Sequence, residues 1–103
     1  MDQASKLILE IASGPLDGLQ ITIENETEWR RSGTGPLCFP WDSELGEPQA
    51  RFLRTSKGWA VEGFKAQHGT HLVKRNRNVR QPVTLREGDL LRAHETWILV
   101  LGT

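Results

Sequence analysis

One short stretch near the end of the chain decides the class of the fold: residues 82–92 read PVTLREGDLLR. Two short apolar runs, at 83–85 and 90–92, flank the turn signal Arg86-Glu87-Gly88-Asp89, so the stretch predicts two strands joined by a turn. Glycine tolerates positive φ and aspartate hydrogen-bonds to nearby backbone, so the pair favours a tight turn. We therefore expect the stretch to form the last hairpin of a β-rich fold.

The rest of the chain repeats this rhythm of alternating residues and turns. Residues 7–11 (LILEI) and 19–23 (LQITI) have a period of two, and Gly14-Pro15-Leu16-Asp17-Gly18 between them predicts a hairpin. Ser56-Lys57-Gly58 separates two further strands at 50–54 and 59–62. The least regular region, residues 24–47, is expected to hold two short strands between long loops. Because no window of a dozen residues has a helical pattern, we predict an all-β sandwich with negligible helix.

Length and composition limit the class of protein but identify no partner. The 103 residues suit one domain, 1–103 with a core at about 7–101, and also suit one module of a longer polypeptide. Thirteen basic residues balance thirteen acidic ones, so overall charge recruits neither nucleic acid nor membrane. The single Cys38 is expected to be buried, and the absence of a signal pattern or long apolar run predicts a cytoplasmic protein with no membrane segment.

The ordered set of these signals resembles the forkhead-associated (FHA) family across about residues 7–101. The opening hairpin around Ser13 to Gly18, the strand at Ala50-Arg51-Phe52, Gly58-Trp59-Ala60-Val61-Glu62 and the turn His68-Gly69-Thr70 follow the family's order, and the stretch 82–92 is the most specific piece. The resemblance implies a β-sandwich of about eleven short strands, with recognition loops gathered at one end. It also implies a non-catalytic protein–protein interaction module without a cofactor.

The family binds phosphothreonine peptides, and this sequence departs from the family's motifs at the ligand-contacting positions. The family's phosphate-binding Arg corresponds to Arg31, or to Ser32 if the alignment does not slip by one residue. Its Ser-x-x-His motif corresponds to residues 46–49, so Gly46 replaces the serine and Gln49 replaces a histidine that braces the loops. His68 replaces the asparagine of Asn-Gly-Thr.

The changed positions predict a degenerate phosphate site. A phosphothreonine needs an Arg and neutral donors with no carboxylate nearby, whereas Glu47 directly follows Gly46. We therefore predict a phospho-independent scaffold or docking domain, a role that FHA-like domains with lost phosphate sites have, for example in bacterial secretion machinery. Its partner would be a protein, such as a phosphoprotein or an acidic segment.

Two alternative functions stay open at this stage. Phosphothreonine binding could be retained through Arg31 with help from Lys74 or Arg75, or the basic segment 74–80 could contact nucleic acid weakly. The composition of that segment equally suits a solvated hairpin.

Other residues that could bind a metal, act in catalysis or contact a partner give weaker signals. His68 and His71 lack further metal ligands nearby in sequence, so no metal site is predicted, and no catalytic constellation can be assembled. Of the four tryptophans, Trp59 and Trp97 are expected in the core. Trp41 lies on an irregular loop and is either tucked against the protein or an anchor for a partner.

Overall fold

The computed structural model describes residues 6–73 and 77–103 of the chain. In this part of the chain it contains ten strands and a single turn of 3-10 helix at Gly14–Leu16. The strands are β1 (Leu7–Ile11), β2 (Gln20–Ile23), β3 (Thr27–Trp29), β4 (Ala50–Thr55), β5 (Gly58–Gly63), β6 (His71–Leu72), β7 (Arg77–Asn78), β8 (Val83–Thr84), β9 (Leu90–Ala93) and β10 (Thr96–Gly102). The predicted all-β class with negligible helix is confirmed.

Two antiparallel sheets form a sandwich. The six-stranded sheet has the order β2-β1-β10-β9-β6-β7, and the four-stranded sheet has the order β3-β4-β5-β8. β1 buries Leu7, Leu9 and Ile11 on one face, because its alternate residues point toward the facing sheet. It pairs with β2 in antiparallel register, Leu9 opposite Ile21, which confirms the predicted first hairpin. Strand β10 lies between β1 and β9 in the six-stranded sheet.

Residues 82–92 form strands and a turn as predicted, but they are not a hairpin. β8 pairs with β5 in the smaller sheet, whereas β9 pairs with β10 and β6 in the larger one. The intervening turn is closed by the Asp89 amide donating to the Arg86 carbonyl at 3.0 Å. This stretch therefore crosses from one sheet to the other, and the last hairpin is β9–β10 instead. Alternation within a strand indicates its buried face but does not indicate its pairing partner.

The irregular region 24–47 differs from the prediction of two short strands. β3 is its one strand in the described structure, and beyond β3 a single parallel bridge joins Arg30 to Cys38. Cys38 is half-buried rather than buried. The long loop after β3 is therefore held mainly by individual hydrogen bonds and by packing.

The core between the sheets is rich in aromatic side chains. Trp29 and Phe52 are fully buried and stack with ring centroids 6.3 Å apart. Trp59 is buried, as expected, but the prediction for Trp97 is wrong. Trp97 is only half-buried, and the Arg92 guanidinium lies 5.5 Å from its ring centroid. It faces outward because the other face of β10 supplies the buried residues.

No helix in residues 6–73 and 77–103 is both long enough and apolar enough to cross a membrane.

Candidate binding site

The site is assembled from three segments that meet at one end of the sandwich. They are the long loop between β3 and β4, the loop between β5 and β6, and the two-residue turn between β9 and β10. Gly63 ends β5 where the β5–β6 loop begins, and the backbone is tightly packed there. A Cβ atom on Gly63 would lie 2.1 Å from the Val79 carbonyl oxygen. The backbone at this end is therefore set by tight packing as well as by strand pairing.

Gln49 ties the first two loops together, and we call this arrangement the loop brace. Its side-chain oxygen accepts from the Gly46 amide at 2.8 Å, and its Nε2 donates to the His68 carbonyl at 2.7 Å and to Thr70 Oγ1 at 3.0 Å. Gln49 is fully buried, so these bonds satisfy a group that would otherwise be costly to bury. An amide with an acceptor and two donor hydrogens can join all three partners at once.

Gly46 lies against its neighbours so closely that it leaves little room for a side chain. A Cβ atom would lie 2.9 Å from the Ala66 Cβ and 2.9 Å from the Pro48 carbonyl oxygen. A residue with a side chain, such as serine, would therefore require the loop to move.

Glu47 occupies a set of anion-binding donors, which we call the anion cradle. The cradle consists of Ser32, Arg30 and Arg31 around the Glu47 carboxylate. The Ser32 amide donates to Glu47 Oε1 at 2.7 Å and the Ser32 hydroxyl donates to Oε2 at 2.5 Å. The Arg30 Nε and Arg31 Nη2 atoms lie 3.8 and 3.9 Å from the same carboxylate.

The hydrogen bonds in the cradle favour the charged form of the acid. The Ser32 hydroxyl and then the Ser32 amide lower the pKa of Glu47 below its ordinary value. Desolvation opposes them, and the charges of Arg30 and Arg31 add smaller effects that also lower the pKa. Arg31 also donates from Nη1 to the Ser43 carbonyl at 3.2 Å, which holds it beside the long loop. The donors that could receive a phosphate thus already hold a carboxylate.

A second group of polar side chains, the histidine cluster, comprises Glu44, His68 and His94 with Asp42 behind them. His68 Nε2 donates to Glu44 Oε1 at 2.5 Å, and the His68 and His94 rings have centroids 4.4 Å apart. His94 Nδ1 donates to Asp42 Oδ1 at 2.6 Å. The cluster joins all three segments of the site.

Asp42 is the buried centre of this cluster. It is fully buried and also accepts from the Glu95 amide at 3.0 Å and from Thr96 Oγ1 at 2.8 Å. Burial by itself raises the pKa of Asp42, but the hydrogen bonds from His94, Thr96 and the backbone outweigh burial, so the pKa lies below its ordinary value. The bond to Asp42 is also the main cause that raises the pKa of His94.

The sequence singled out neither His94 nor Asp42 as a functional residue. The available signal was the dipeptide His94-Glu95 between two short apolar runs, which places a histidine on a turn between strands. The sheet topology determines which turns lie at the same end of the sandwich. The sequence pattern around His94 therefore could not show that this turn lies beside His68. The structure brings His68 beside His94, whereas His71 lies on β6 outside the cluster.

Trp41 packs against its own molecule. Its ring lies 6.2 Å from the Phe39 ring, and a Cβ atom at Gly14 would lie 2.5 Å from Trp41 Cη2. Trp41 is half-buried, so it is in part accessible to a partner. The two basic residues suggested as partner contacts, Lys74 and Arg75, lie outside the described residues.

A cleft of about 570 Å³ flanks the loop brace on the side of the β5–β6 loop. Phe64, Lys65 and Arg80 contribute to its walls, and the described residues that line it include no aspartate or glutamate. The cleft therefore offers positive charge beside the site.

Comparison with known proteins identifies the fold. No protein-family model matches the chain, and no curated protein matches it. Among solved structures, the chain is similar to the FHA domain of an Arabidopsis thaliana hypothetical protein, with a TM-score of 0.81 and 21% identity over 100% of this chain and 94% of that one.

Two further structures have the same fold. One is an FHA domain from a structural and functional analysis of phosphothreonine-dependent FHA domain interactions, with a TM-score of 0.75 and 18% identity over 96% of this chain and 98% of that one. The other is the FhaA FHA domain in complex with the intracellular domain of Rv3910, with a TM-score of 0.72 and 19% identity over 91% and 98%. The chain therefore has an FHA-like fold, as the sequence resemblance predicted. At these identities the similarity establishes the fold, and function must be argued from the site.

Proposed function

We propose that the chain is a non-catalytic protein docking module that binds its partner without a phosphate, using the loops around Arg31, Gly46, Gln49 and His68. The observation that carries the proposal is the Glu47 carboxylate in the anion cradle. General support comes from the FHA fold, since one structural neighbour was solved bound to a protein domain and another concerns phosphothreonine-dependent interactions.

A phosphate would have to displace a bound carboxylate to reach the cradle donors. Hydrogen bonds to a charged acceptor are stronger than those between neutral groups, and the Ser32 amide and hydroxyl both bond to Glu47. A phosphate close to an undisplaced carboxylate would also be repelled by its like charge. The tight packing of Gly46 also leaves no room for the serine hydroxyl that the family resemblance implies at this position. A phosphate would therefore lack a favourable contact at two positions, the anion cradle and residue Gly46.

The chemistry of the neighbouring cleft favours an acidic partner segment. Lys65 and Arg80 line the cleft together with Phe64. An extended acidic peptide with an apolar side chain would meet positive charge and an aromatic surface in the same groove.

A second candidate function, phosphothreonine binding, is favoured by the exposure of Arg31. Its side chain is 44% exposed, and its guanidinium lies 3.9 Å from Glu47 rather than in direct hydrogen bonding. An incoming phosphate could bind this arginine if Glu47 turned away.

One experiment separates the two candidates. A degenerate phosphothreonine peptide library and its unphosphorylated counterpart are tested for binding to the wild type, to Arg31→Ala and to the matched control Arg86→Ala, which removes an exposed arginine from the β8–β9 turn. We expect no preference for phosphorylated peptides in any of the three proteins. Phosphate-dependent binding that is lost in Arg31→Ala and kept in Arg86→Ala would establish the second function.

The docking role itself is tested with an unphosphorylated library enriched in aspartate and glutamate. We expect selected acidic peptides to bind the wild type and to bind Lys65→Ala at least about threefold more weakly, because that variant removes one charge from the cleft. Lys57→Ala, at the exposed β4–β5 turn, is the control. Absence of any bound acidic peptide, or equal weakening in both variants, would contradict an acidic partner in this cleft.

A further inference from the structure

The histidine cluster has the donor set of a metal site. Glu44 Oε1 lies 2.5 Å from His68 Nε2 and 3.9 Å from His94 Nε2, and the ligand atoms of the three residues lie within 4.8 Å of one another. The three residues come from three different segments, which the sandwich brings together. Two imidazoles and one carboxylate are a known ligand set for Zn²⁺ sites that keep a fourth position open.

Asp42 holds His94 in the orientation that a ligand needs. It accepts from His94 Nδ1 at 2.6 Å and is itself fixed by the Glu95 amide and the Thr96 hydroxyl. This leaves His94 Nε2 as the nitrogen that faces Glu44. Metal-binding histidines commonly donate their second ring N–H to a carboxylate in this way, because the bond fixes the tautomer and makes the other nitrogen more basic.

The backbone conformation of His94 also supports a metal site. His94 has a φ of 53°, and it is the first residue of a two-residue turn between β9 and β10. Hairpin turns with positive φ at this position usually carry glycine there, because a side chain raises the energy of that conformation. A histidine is thus placed at the tip of the turn against local preference.

The distances require only small adjustments to accept an ion. Around a tetrahedral ion with bonds of about 2.0–2.2 Å, two ligand atoms lie about 3.3 Å apart. The His68–Glu44 distance of 2.5 Å would open by about 0.8 Å, and the His94–Glu44 distance of 3.9 Å would shorten by about 0.6 Å. The Glu44 and His68 side chains are 42% and 36% exposed, so both can rotate toward an ion without moving the core.

We propose that Glu44, His68 and His94 bind a divalent transition-metal ion, best suited to Zn²⁺, with Asp42 as the positioning residue and one coordination position open to water or to a group of the partner. His68 binds the ion through Nε2 as the neutral tautomer that carries its ring proton on Nδ1. The proton between His68 Nε2 and Glu44 Oε1 therefore leaves to solvent if the ring is charged, and moves through solvent to Nδ1 if the ring is neutral. Imidazole nitrogen with carboxylate oxygen suits Zn²⁺ better than Mg²⁺ or Ca²⁺, which prefer all-oxygen sites. This proposal does not depend on the docking function.

The test is a calorimetric titration of Zn²⁺ into the full chain without an affinity tag, stripped with a chelator, near pH 7.4. We expect one ion per chain with a dissociation constant of about 1 µM or lower. Co²⁺ is titrated in parallel, and we expect the intense visible absorption of a four-coordinate ion. Absence of one-to-one binding in the wild type, or a six-coordinate Co²⁺ spectrum, would overturn the proposal.

Matched variants locate the ion. His94→Ala should weaken Zn²⁺ binding by at least about 100-fold, and Glu44→Gln should weaken it by about tenfold. Asp42→Asn should also weaken it by about tenfold, because His94 loses the acceptor that orients its ring. His71→Ala removes the third histidine of the chain and should leave the affinity unchanged. Equal weakening in His71→Ala and His94→Ala would also overturn the assignment. Circular dichroism checks that each variant is folded, and the exposed Glu44 change gives a reading even if His94→Ala unfolds.

Discussion

The loop brace and the anion cradle lie side by side and share the same long loop, yet they differ in burial and in what their donors hold. Gln49 in the brace is fully buried and joins backbone and side-chain groups of two loops. Ser32 in the cradle is exposed, and its donors are occupied by a carboxylate that follows Gly46. The comparison shows that buried hydrogen bonds hold the two loops together, whereas the exposed donors of the cradle bind a carboxylate of the chain itself.

The buried loop brace and the exposed anion cradle should respond differently to substitution. Changes in the buried framework should lower stability, and changes in the cradle should alter binding with little effect on stability.

The largest effect is expected for Asp42→Ala. The change leaves His94 Nδ1, the Glu95 amide and the Thr96 hydroxyl without their common acceptor in a buried place, so the free energy of unfolding should fall by about 3 kcal/mol. Urea denaturation at neutral pH measures the loss. Asp17→Ala, at an exposed turn, should change the free energy by less than about 0.5 kcal/mol. A loss below about 1 kcal/mol for Asp42→Ala would show that the framework does not depend on this residue.

The next effect is expected for Gln49→Leu. Leucine has a similar volume but forms no hydrogen bonds, so the Gly46 amide and the His68 carbonyl lose their partner at a cost of about 2 kcal/mol. The midpoint of urea unfolding reports this cost, with exposed Gln81→Leu as the matched control. Equal stability of the two variants would mean that water molecules satisfy the groups that Gln49 bonds in the wild type.

A smaller effect, on binding rather than stability, is expected for Glu47→Ala. Removing the carboxylate frees the Ser32 amide and hydroxyl, so phosphothreonine peptides should bind to the variant at least about tenfold more tightly than to the wild type. Fluorescence anisotropy with phosphorylated and unphosphorylated peptides measures the difference. Glu87→Ala makes the same change of charge at an exposed turn and should leave binding unchanged. Equal gains in both variants would indicate a general charge effect.

The smallest effect is the acid dependence of stability that Glu47 contributes. The Ser32 hydrogen bonds lower the pKa of Glu47 in the folded chain below the ordinary value of 4.5, so its contribution is fully present above pH 4.5 and is lost as the pH falls through the folded-state value. Melting temperatures between pH 3 and 6 should therefore fall less steeply in Glu47→Gln than in the wild type. A curve parallel to that of the wild type would contradict the role of the cradle bonds, and Glu87→Gln is the control.

Sequence reasoning identified much of this region but not its internal contacts. The resemblance places Gln49 where the family has a histidine that braces the loops, and in the structure Gln49 forms three hydrogen bonds across two loops. Glu47 was recognised as unfavourable for phosphate, but its capture by Ser32 was not predicted. A residue's charge can be read in the sequence, whereas the direction of its side chain depends on how the surrounding loop is packed.

The sequence by itself determined the all-β class, the first hairpin and the FHA-like order of elements, because alternation of apolar residues and turn chemistry are local properties that neighbouring residues express directly. Only the tertiary structure decided that β8 and β9 belong to different sheets, that Trp97 faces outward and that His94 lies beside His68. These features depend on which strands pair and how the two sheets stack. Asp42 and His94 are 52 positions apart and meet only because that packing places their loops at the same end of the sandwich.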